Sequence, residues 1–368
     1  MSSQSESNQS NWLSQLNHRQ QAIFKSRFDD FKQYLESEGK NPRKKIGYSE
    51  RSIGTRSSRV RQLIKWVWQQ DGVAVEITPE QADRVIEALA TDDLRRVDNK
   101  RYSEGSKRKL SNALVNWFEF REIDWEPEIS FQDEFSTNNS DPFTKDEIKR
   151  IWEASLTYKS IPRYNNLTPE GRDRWRAYLS QELGKPKNVV KPDDWDKVNK
   201  CWKIPSIIAT ERSAGWRPAL IERMKVHWYN PDKGTITIPA KKAVKSNQDW
   251  EQSLGDDAIE SLEFWLKQRE TDERYDDSDY MWLNRQSNPY RSATLNDVLD
   301  DLLEEADIKV GGRKITWYSF RHTLGTYTYE EYNDLKIVAE TLRQTSKESA
   351  ARYVHPTDEI LEDAANIL

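Results

Sequence analysis

Cysteine, methionine and histidine are scarce in this chain of 368 residues, which has one Cys, three Met and four His. The single Cys201 cannot form an internal disulfide, and so few His and Cys cannot build a zinc site, so we expect a reducing compartment and no structural metal. No apolar run approaches the roughly 18 residues of a membrane span, and the polar start MSSQSESNQS lacks the apolar core of a signal peptide. These absences predict a cytoplasmic protein with no membrane segment and no metal.

Large aromatic side chains are abundant by contrast: the chain has 15 Trp, 15 Tyr and 10 Phe, and 32% of its residues are charged. Disordered chains are poor in aromatic residues, so this composition predicts a folded protein with a very polar surface. The length is sufficient for two domains, each with its own core.

Charge is unevenly distributed, although the net charge is only −5. Residues 40–70 contain nine Lys or Arg against one acid, and residues 95–109 contain seven against two. The acids collect in 256–263, 270–279 and 297–307. Such segregation is typical of a protein with one face on phosphate and another in solvent, and a solvated basic face without a ligand is the alternative.

Apolar residues recur at helical spacing and predict four helices in the first 125 residues. The predicted helices span about residues 18–37, 49–70, 78–90 and 103–121. The polar stretch 1–17 is predicted to be a disordered tail. Basic residues beside these helices are predicted to contact DNA phosphates. The predicted nucleic-acid contacts are Arg43, Lys44, Lys45, Arg56, Arg59, Lys107, Arg108 and, further along the chain, Lys242.

A polar, aperiodic segment follows the helical region. We predict a linker at 126–141, between a helical domain at 18–125 and a second domain at 142–368. In the second domain, the alternating sequence GTITIPA, the turn KKAVKSNQD and the sequence WEQSLG together predict a β-hairpin.

Candidate catalytic residues are concentrated between residues 315 and 355. Tyr318, Arg321 and His322 stand within five residues, and Tyr353 closes the stretch. A tyrosine hydroxyl held near guanidinium groups suits attack on a phosphodiester, because arginines can neutralise the charge that builds on the phosphorus oxygens. Without further support, the same residues also fit packing and surface roles in an ordinary helical protein.

The spacing of these residues favours catalysis. Tyr353 follows Arg321 by 32 residues, and Gln344 precedes Tyr353 by nine. These intervals, with the sequences YSFRH and ARYVH, resemble boxes II and III of the tyrosine recombinases, the phage-integrase family. The sequence AGWRP around Arg217, 104 residues before Arg321, resembles box I, although Leu220 stands where the family usually has an acid.

The resemblance implies a mainly α fold with a small antiparallel β-sheet. It implies an N-terminal four-helix SAM-like core-binding domain and a mixed α+β catalytic domain. It further implies double-stranded DNA as the partner, a homotetramer on paired DNA sites, and cleavage through a 3′-phosphotyrosyl link with no cofactor. Residues 158–202, longer than usual before box I, resemble the corresponding part of integrase-like proteins of halophilic archaea.

The resemblance also assigns roles to individual residues. Tyr353 is the nucleophile, and Arg217 and Arg321 bind the non-bridging oxygens of the scissile phosphate. The general acid is a lysine of the hairpin, whose pKa has to be lowered by burial or by the neighbouring arginines. The candidates are Lys245 as first choice, Lys242 as second, and Lys241.

Two positions depart from the family's pattern: Tyr318 stands where a His is more common, and Gln344 where the family has His or Trp. With an ordinary pKa near 10, Tyr318 is a poor proton acceptor at neutral pH, and Gln344 does not titrate. Three functions therefore remain open. They are a recombinase that integrates or excises a mobile element, a dimer resolvase or nicking relative of the same fold, and a DNA-binding protein that has lost catalysis.

The last residues carry apolar side chains at helical spacing, at Ile360, Leu361, Ala364, Ala365 and Leu368. A helix this short is not stable alone. It either packs on its own domain or, as the resemblance suggests, docks in a neighbouring protomer.

Overall fold

The computed structural model describes residues 13–132, 140–240, 249–344 and 347–353. The chain divides into two compact units between residues 137 and 138, inside the linker predicted from the sequence. Within the described residues, no helix combines the length and apolar character needed to cross a membrane.

Within residues 18–120, the first unit contains four α-helices, as predicted. They are α1 His18–Ser37, α2 Glu50–Asp71, α3 Pro79–Ala90 and α4 Glu104–Phe120. Asn17 and Thr78 begin α1 and α3 with capping boxes, in which each cap side chain accepts from a backbone N–H that lacks a helical partner. The helices share one core, where the rings of Phe28, Phe31 and Trp117 lie with centroids 4.9 to 6.3 Å apart.

The tail predicted for residues 1–17 is wrong at its C-terminal end. Leu16 is buried in the core of the first unit, and its backbone N–H donates to Leu13 O at 3.0 Å. The physical reason is its place directly before the cap Asn17, since an apolar residue there packs on the first turns of the helix. Residues 1–12 lie outside the described part of the chain.

The second unit is mainly helical and contains a small antiparallel sheet, so the predicted fold class is confirmed. Its helices are α5 Lys145–Thr157, α6 Pro169–Leu183, α7 Asp193–Lys197, α8 Lys203–Ala214, α9 Pro218–Ile221, α10 Asp256–Thr271, α11 Ser292–Glu305, α12 Tyr318–Tyr332, α13 Leu335–Thr341 and α14 Lys347–Ala350. Its strands are β1 Tyr229–Asn230, β2 Thr235–Ile238 and β3 Trp250–Ser253, in the order β1-β2-β3. The predicted hairpin is the β2–β3 pair, in which Ile236 lies opposite Gln252.

Helix α8 is buried on nearly every side, because α5, α10 and α12 all pack against it. Half of its twelve residues are apolar, and every residue from Lys203 to Glu211 is buried. Its buried polar groups need internal partners, and Lys203 Nζ donates to Leu283 O at 3.0 Å while Thr210 Oγ1 donates to Ser206 O at 2.6 Å. Glu211, one residue further along, is also fully buried.

The segment 158–202 has a small core of its own before α8 begins. Its buried side chains are Ile161, Trp175, Tyr178, Leu179, Val190 and Trp195. The guanidinium of Arg174 donates to both carboxylate oxygens of Asp276, and Thr168 Oγ1 donates to Glu273 at 2.6 Å. The segment 158–202 is therefore a folded element that hydrogen-bonds to the residues after α10.

We predict that the protein loses stability at alkaline pH because Tyr178 is buried. Burial raises its pKa to about 12, while the side-chain hydrogen bond with Gln268 acts in the opposite direction. Because its pKa is raised in the folded state, Tyr178 contributes stability that is fully present below pH 10 and is lost as the pH rises towards 12. Over this interval the unfolded chain releases a proton that the folded chain keeps. Through Tyr178, the free energy of unfolding should fall by roughly 2 to 3 kcal/mol over that interval. Urea titrations at pH 9, 10 and 11 should show a shallower decline for Tyr178→Phe than for the wild type, and parallel declines would contradict this account.

Candidate active site

Arg321 lies in the first turn of α12 and is almost completely buried. Its Nη1 donates to the backbone oxygen of Gly215 at 2.7 Å, and its Nη2 donates to the backbone oxygen of Leu342. The guanidinium therefore connects three segments: the end of α8, the start of α12 and the loop after α13.

Gly215 makes the turn that brings Arg217 towards Arg321. It ends α8 in the left-handed region, with φ 54°, which glycine adopts without steric cost. A Cβ at this position would lie 3.0 Å from the side chain of Leu324 and 3.1 Å from that of Leu342. Arg217 follows as the N-cap of the short helix α9.

The two arginines singled out from the sequence influence each other electrostatically. Burial lowers the pKa of Arg217, and the positive charge of Arg321 lowers it further. The ionised forms of Tyr318 and Tyr353, and a hydrogen bond with Tyr318, raise it. Two cations held near each other form a favourable site for an anion such as a phosphodiester.

Tyr353 is the last described residue and lies buried beside these arginines, in a 3-10 turn spanning Ala351–Tyr353. Gln344 Nε2 donates to its hydroxyl at 2.8 Å, and its ring centroid is 4.9 Å from that of His322. Burial raises the pKa of Tyr353, the positive charge of Arg321 lowers it, and Tyr318 raises it. The hydroxyl is therefore neutral at pH 7 and must lose its proton as it attacks.

Gly325 provides the space for the ring of Tyr353. A Cβ at position 325 would lie 2.7 Å from the Tyr353 ring and 2.8 Å from Leu342 Cδ1. Glycine inside a helix costs stability, so its presence in α12 indicates a packing requirement. A glycine four residues after Arg321 is visible in the sequence, and it is the signal that could have identified this residue as part of the site.

We predict that Gly325→Ala displaces the Tyr353 ring with little net loss of stability. Alanine favours the helix by about 1 kcal/mol, which offsets part of an overpacking cost of about 1 to 3 kcal/mol. Nitration of Tyr353 by tetranitromethane, followed by peptide mass spectrometry, should become severalfold faster. Gly54→Ala in α2 is the matched control, because a Cβ there has no neighbour within 4 Å. Equal nitration of Tyr353 in the wild type and Gly325→Ala would contradict the prediction.

Strand β3 is attached to the turn that carries Arg217. Trp216 Nε1 donates to Gln252 Oε1 at 2.7 Å, and Gln252 Nε2 donates to the backbone oxygen of Ala214 at 3.3 Å. Gln252 was not predicted from the sequence, because an amide in a polar strand pattern carries no sign of this long-range contact. Lys241, Lys242 and Lys245 belong to the segment 241–248, which lies outside the described residues.

The basic residues predicted to contact DNA lie on the surface of the first unit, with one exception. Arg43, Lys44, Lys45 and Arg108 are exposed, and Arg56 and Arg59 are half-buried. The guanidinium of Arg56 lies 4.0 Å from the ring centroid of Tyr48 and donates to Asn116 Oδ1 at 2.6 Å. Their contact with DNA stays a prediction.

Lys107 is the exception, and its assignment as a phosphate contact is corrected. Its side chain is only 7% exposed, and its Nζ lies 2.9 Å from Asp92 and 3.0 Å from Glu104. Burial alone would lower the pKa of Lys107, but its hydrogen bonds with the two carboxylates raise it. The ammonium thus serves an internal ion-pair cluster, which the run of basic residues in the sequence concealed.

Potential metal ligands do not cluster in the described part of the chain, where no three His, Cys, Asp or Glu side chains could together hold a metal ion.

Comparison with family models and solved structures shows which known proteins this chain resembles. Residues 201–359 match the model of the phage integrase family, and no curated protein matches the chain. The structure of XerH site-specific recombinase bound to palindromic difH substrate, a post-cleavage complex, is similar with a TM-score of 0.53 and 18% identity, covering 91% of this chain and 84% of that one. The Tn1549 transposon integrase in complex with transposon right end DNA has a TM-score of 0.53 and 9% identity, covering 92% and 98%. At such low identity, the structural likeness establishes the fold.

Proposed function

We propose that this chain is a tyrosine recombinase, since its residues 201–359 match the phage integrase family, and that it cuts and rejoins double-stranded DNA with Tyr353 as the nucleophile. One observation carries the residue assignment: a buried tyrosine hydroxyl lies beside Arg321 and Arg217, which come from separate segments of the chain. This is the arrangement that phosphodiester attack needs, with a nucleophile and positive charge for the phosphate oxygens.

In the first proposed step, Tyr353 Oη attacks the phosphorus and releases its proton to solvent water. The bond from phosphorus to the 5′ oxygen breaks, and that oxygen takes a proton from a lysine of the hairpin and leaves as a 5′-hydroxyl. The products are a 3′-phosphotyrosyl link and a free 5′ end. In the second step, the 5′-hydroxyl of another strand attacks this link and gives its proton to the lysine. The bond from phosphorus to Tyr353 Oη breaks, the tyrosine oxygen regains a proton from solvent water, and a phosphodiester is restored.

Arg217 and Arg321 are proposed to bind the two non-bridging oxygens as those oxygens gain charge. Each contact is expected to contribute about 2 to 4 kcal/mol to stabilisation of the transition state, by analogy with other donors to a developing oxyanion. Both candidate lysines belong to the segment between the described strands β2 and β3. Lys245 remains the preferred general acid and Lys242 the second choice.

Tyr318 and Gln344 are proposed to position groups and not to transfer protons. Gln344 donates a hydrogen bond to the oxygen of Tyr353, which orients the hydroxyl without accepting its proton. Tyr318 hydrogen-bonds with Arg217 and so holds one of the two phosphate-binding cations. These contacts support activity despite the two departures from the family's usual residues.

We further propose that the first unit binds the DNA backbone through Arg43, Lys44, Lys45, Arg56, Arg59 and Arg108. Lys242 is proposed to contact DNA from the hairpin segment. The active assembly is proposed to be a tetramer on two DNA sites in the cytoplasm, with the C-terminal segment docked in a neighbouring protomer, although residues 354–368 lie outside the described part of the chain. Integration or excision of a mobile element is the preferred biological role. Resolution of chromosome or plasmid dimers is the alternative within the same fold.

The proposed function can be tested with a substrate pool that covers many target sequences at once. The full chain is incubated in EDTA with duplexes that carry a randomised core and one nick, so that the short strand beside the cleavage site diffuses away and the covalent link is trapped. Adducts that survive denaturation are sequenced, and the modified peptide is identified by mass spectrometry. We expect DNA attached to Tyr353. DNA binding with no adduct in any pool would favour a DNA-binding relative without catalysis.

A further inference from the structure

Glu211 is a buried acid in α8 to which the proposed reaction gives no role. Its side chain is fully buried, and neither carboxyl oxygen has a hydrogen-bond partner among the described residues. Buried polar groups nearly always have a partner, because an unpaired one has lost its contacts with water and gained nothing in return. An unpaired carboxyl in the centre of the domain therefore calls for a functional explanation.

Arg321 has a complementary deficiency. Its two terminal nitrogens donate to Gly215 O and Leu342 O, but its Nε–H is buried with no acceptor in the described part of the chain. Arg321 is also the charged group that acts on the carboxyl of Glu211. An unused acceptor and an unused donor thus lie near each other in one buried region.

The geometry of α8 explains this proximity. Gly215 N donates to Glu211 O at 2.9 Å, so the two residues are one helical turn apart and lie on the same face. Gly215 O accepts from Arg321 on that face, and α12, which carries Arg321, packs against α8. The carboxyl of Glu211 therefore belongs to the surroundings of the guanidinium.

We propose that Glu211 is a positioning residue for Arg321: when the scissile phosphate binds, its buried carboxyl becomes the acceptor for the guanidinium Nε–H, which is unpaired in the DNA-free structure, and so fixes the orientation of Arg321. This inference rests on the proposed function, because it assumes that Arg321 binds that phosphate. Glu211 itself touches neither DNA nor the reacting atoms.

Burial favours the uncharged form of the Glu211 carboxyl, and that form suits this role. Burial raises the pKa of Glu211 well above its ordinary value, although the positive charge of Arg321 opposes the shift. A carboxylate would cancel much of the charge that Arg321 has to offer to the phosphate, whereas a neutral carboxyl accepts a hydrogen bond and leaves that charge available. The residue type needed at this position is thus an acceptor, not an anion.

Substitutions at position 211 separate positioning from a structural role. Glu211→Met keeps the length of the side chain but has no comparable acceptor, so we expect adduct formation on the selected nicked duplex to fall about 10- to 100-fold. The melting temperature of the DNA-free variant should stay level or rise, because without DNA the carboxyl is a buried polar group with no hydrogen-bond partner. Glu211→Gln retains an acceptor and should recover most of the lost rate. Thr210→Val, which alters the neighbouring buried polar residue, is the matched control and should cleave like the wild type.

A second substrate tests whether the effect acts through the charge of Arg321. In a duplex with a methylphosphonate at the scissile position, the phosphorus group carries one negative charge fewer throughout the reaction. The difference between the wild type and Glu211→Met should shrink on this duplex, whereas a general disturbance of the fold would slow both substrates equally.

The outcomes distinguish this inference from the proposed function. Adduct formation by wild type and Glu211→Met at equal rates overturns the role of Glu211 and leaves the function standing. The role is also overturned if Glu211→Met is slower than the wild type by the same factor on both duplexes. If Glu211→Met unfolds, the role is overturned by a folded Glu211→Gln variant that is as slow as Arg321→Lys. No adduct from the wild type on any duplex overturns the function, and the role of Glu211 with it.

Discussion

Tyr353→Phe is expected to abolish covalent attachment to DNA, by at least about 10⁴-fold, while DNA binding is retained. The substitution removes one oxygen, which is the atom that forms the bond to phosphorus. The ring keeps its place against Gly325 and His322, so the surrounding packing is preserved. The hydrogen bond from Gln344 is lost, and unfolding should become easier by only about 1 kcal/mol. Adducts are quantified on denaturing gels and binding by fluorescence anisotropy with the same duplex.

Tyr332→Phe is the matched control for this experiment. Tyr332 ends the same helix, α12, and is 61% exposed, so its hydroxyl has no part in the proposed site. The control should form adducts at the wild-type rate. Substantial adduct formation by Tyr353→Phe would mean that another residue is the nucleophile.

Arg321→Lys should lower adduct formation by about 10²- to 10³-fold and also destabilise the protein. The variant keeps the positive charge but loses the planar fork that donates to Gly215 O and Leu342 O together. Loss of hydrogen bonds to buried backbone oxygens should cost about 2 to 4 kcal/mol. Adduct rates and urea midpoints measured on the same preparation give both effects.

Arg174→Lys provides the comparison, because its exposed guanidinium pairs with Asp276 away from the proposed site. We expect a stability change below about 1 kcal/mol and unchanged cleavage. If Arg321→Lys cleaved DNA at the wild-type rate, a compact charge would suffice and the oriented fork would be irrelevant to catalysis.

Local patterns in the sequence predicted the four helices of the first unit and the β-hairpin correctly. The start of α3 at Thr78-Pro79 depends on contacts within one helical turn, and the hairpin depends on alternation and a turn. Residues close together in the sequence therefore suffice to predict both. The spacing of Arg217, Arg321 and Tyr353 is also visible in one dimension, and the fold brings these residues into electrostatic contact.

Long-range partners could not be predicted in the same way. Lys107 resembles its basic neighbours in the sequence, and only the fold shows that Asp92 lies beside it. The position of Gln252 against Trp216 likewise depends on the packing of a strand against a distant turn. The burial of Glu211 also depends on distant segments, because three helices pack around α8.

The double attachment of Arg321 affects how related sequences should be interpreted. Because its guanidinium joins three chain segments, this arginine should stabilise a relative that has lost recombination as much as one that has kept it. Retention of this arginine across a lineage is therefore weak support for activity. The hydroxyl of Tyr353 accepts a hydrogen bond from the side chain of Gln344, and losing that bond costs little stability. A lineage that no longer recombines DNA can therefore replace this tyrosine by phenylalanine with little loss of stability. Retention of the tyrosine at position 353 is the better marker of surviving activity.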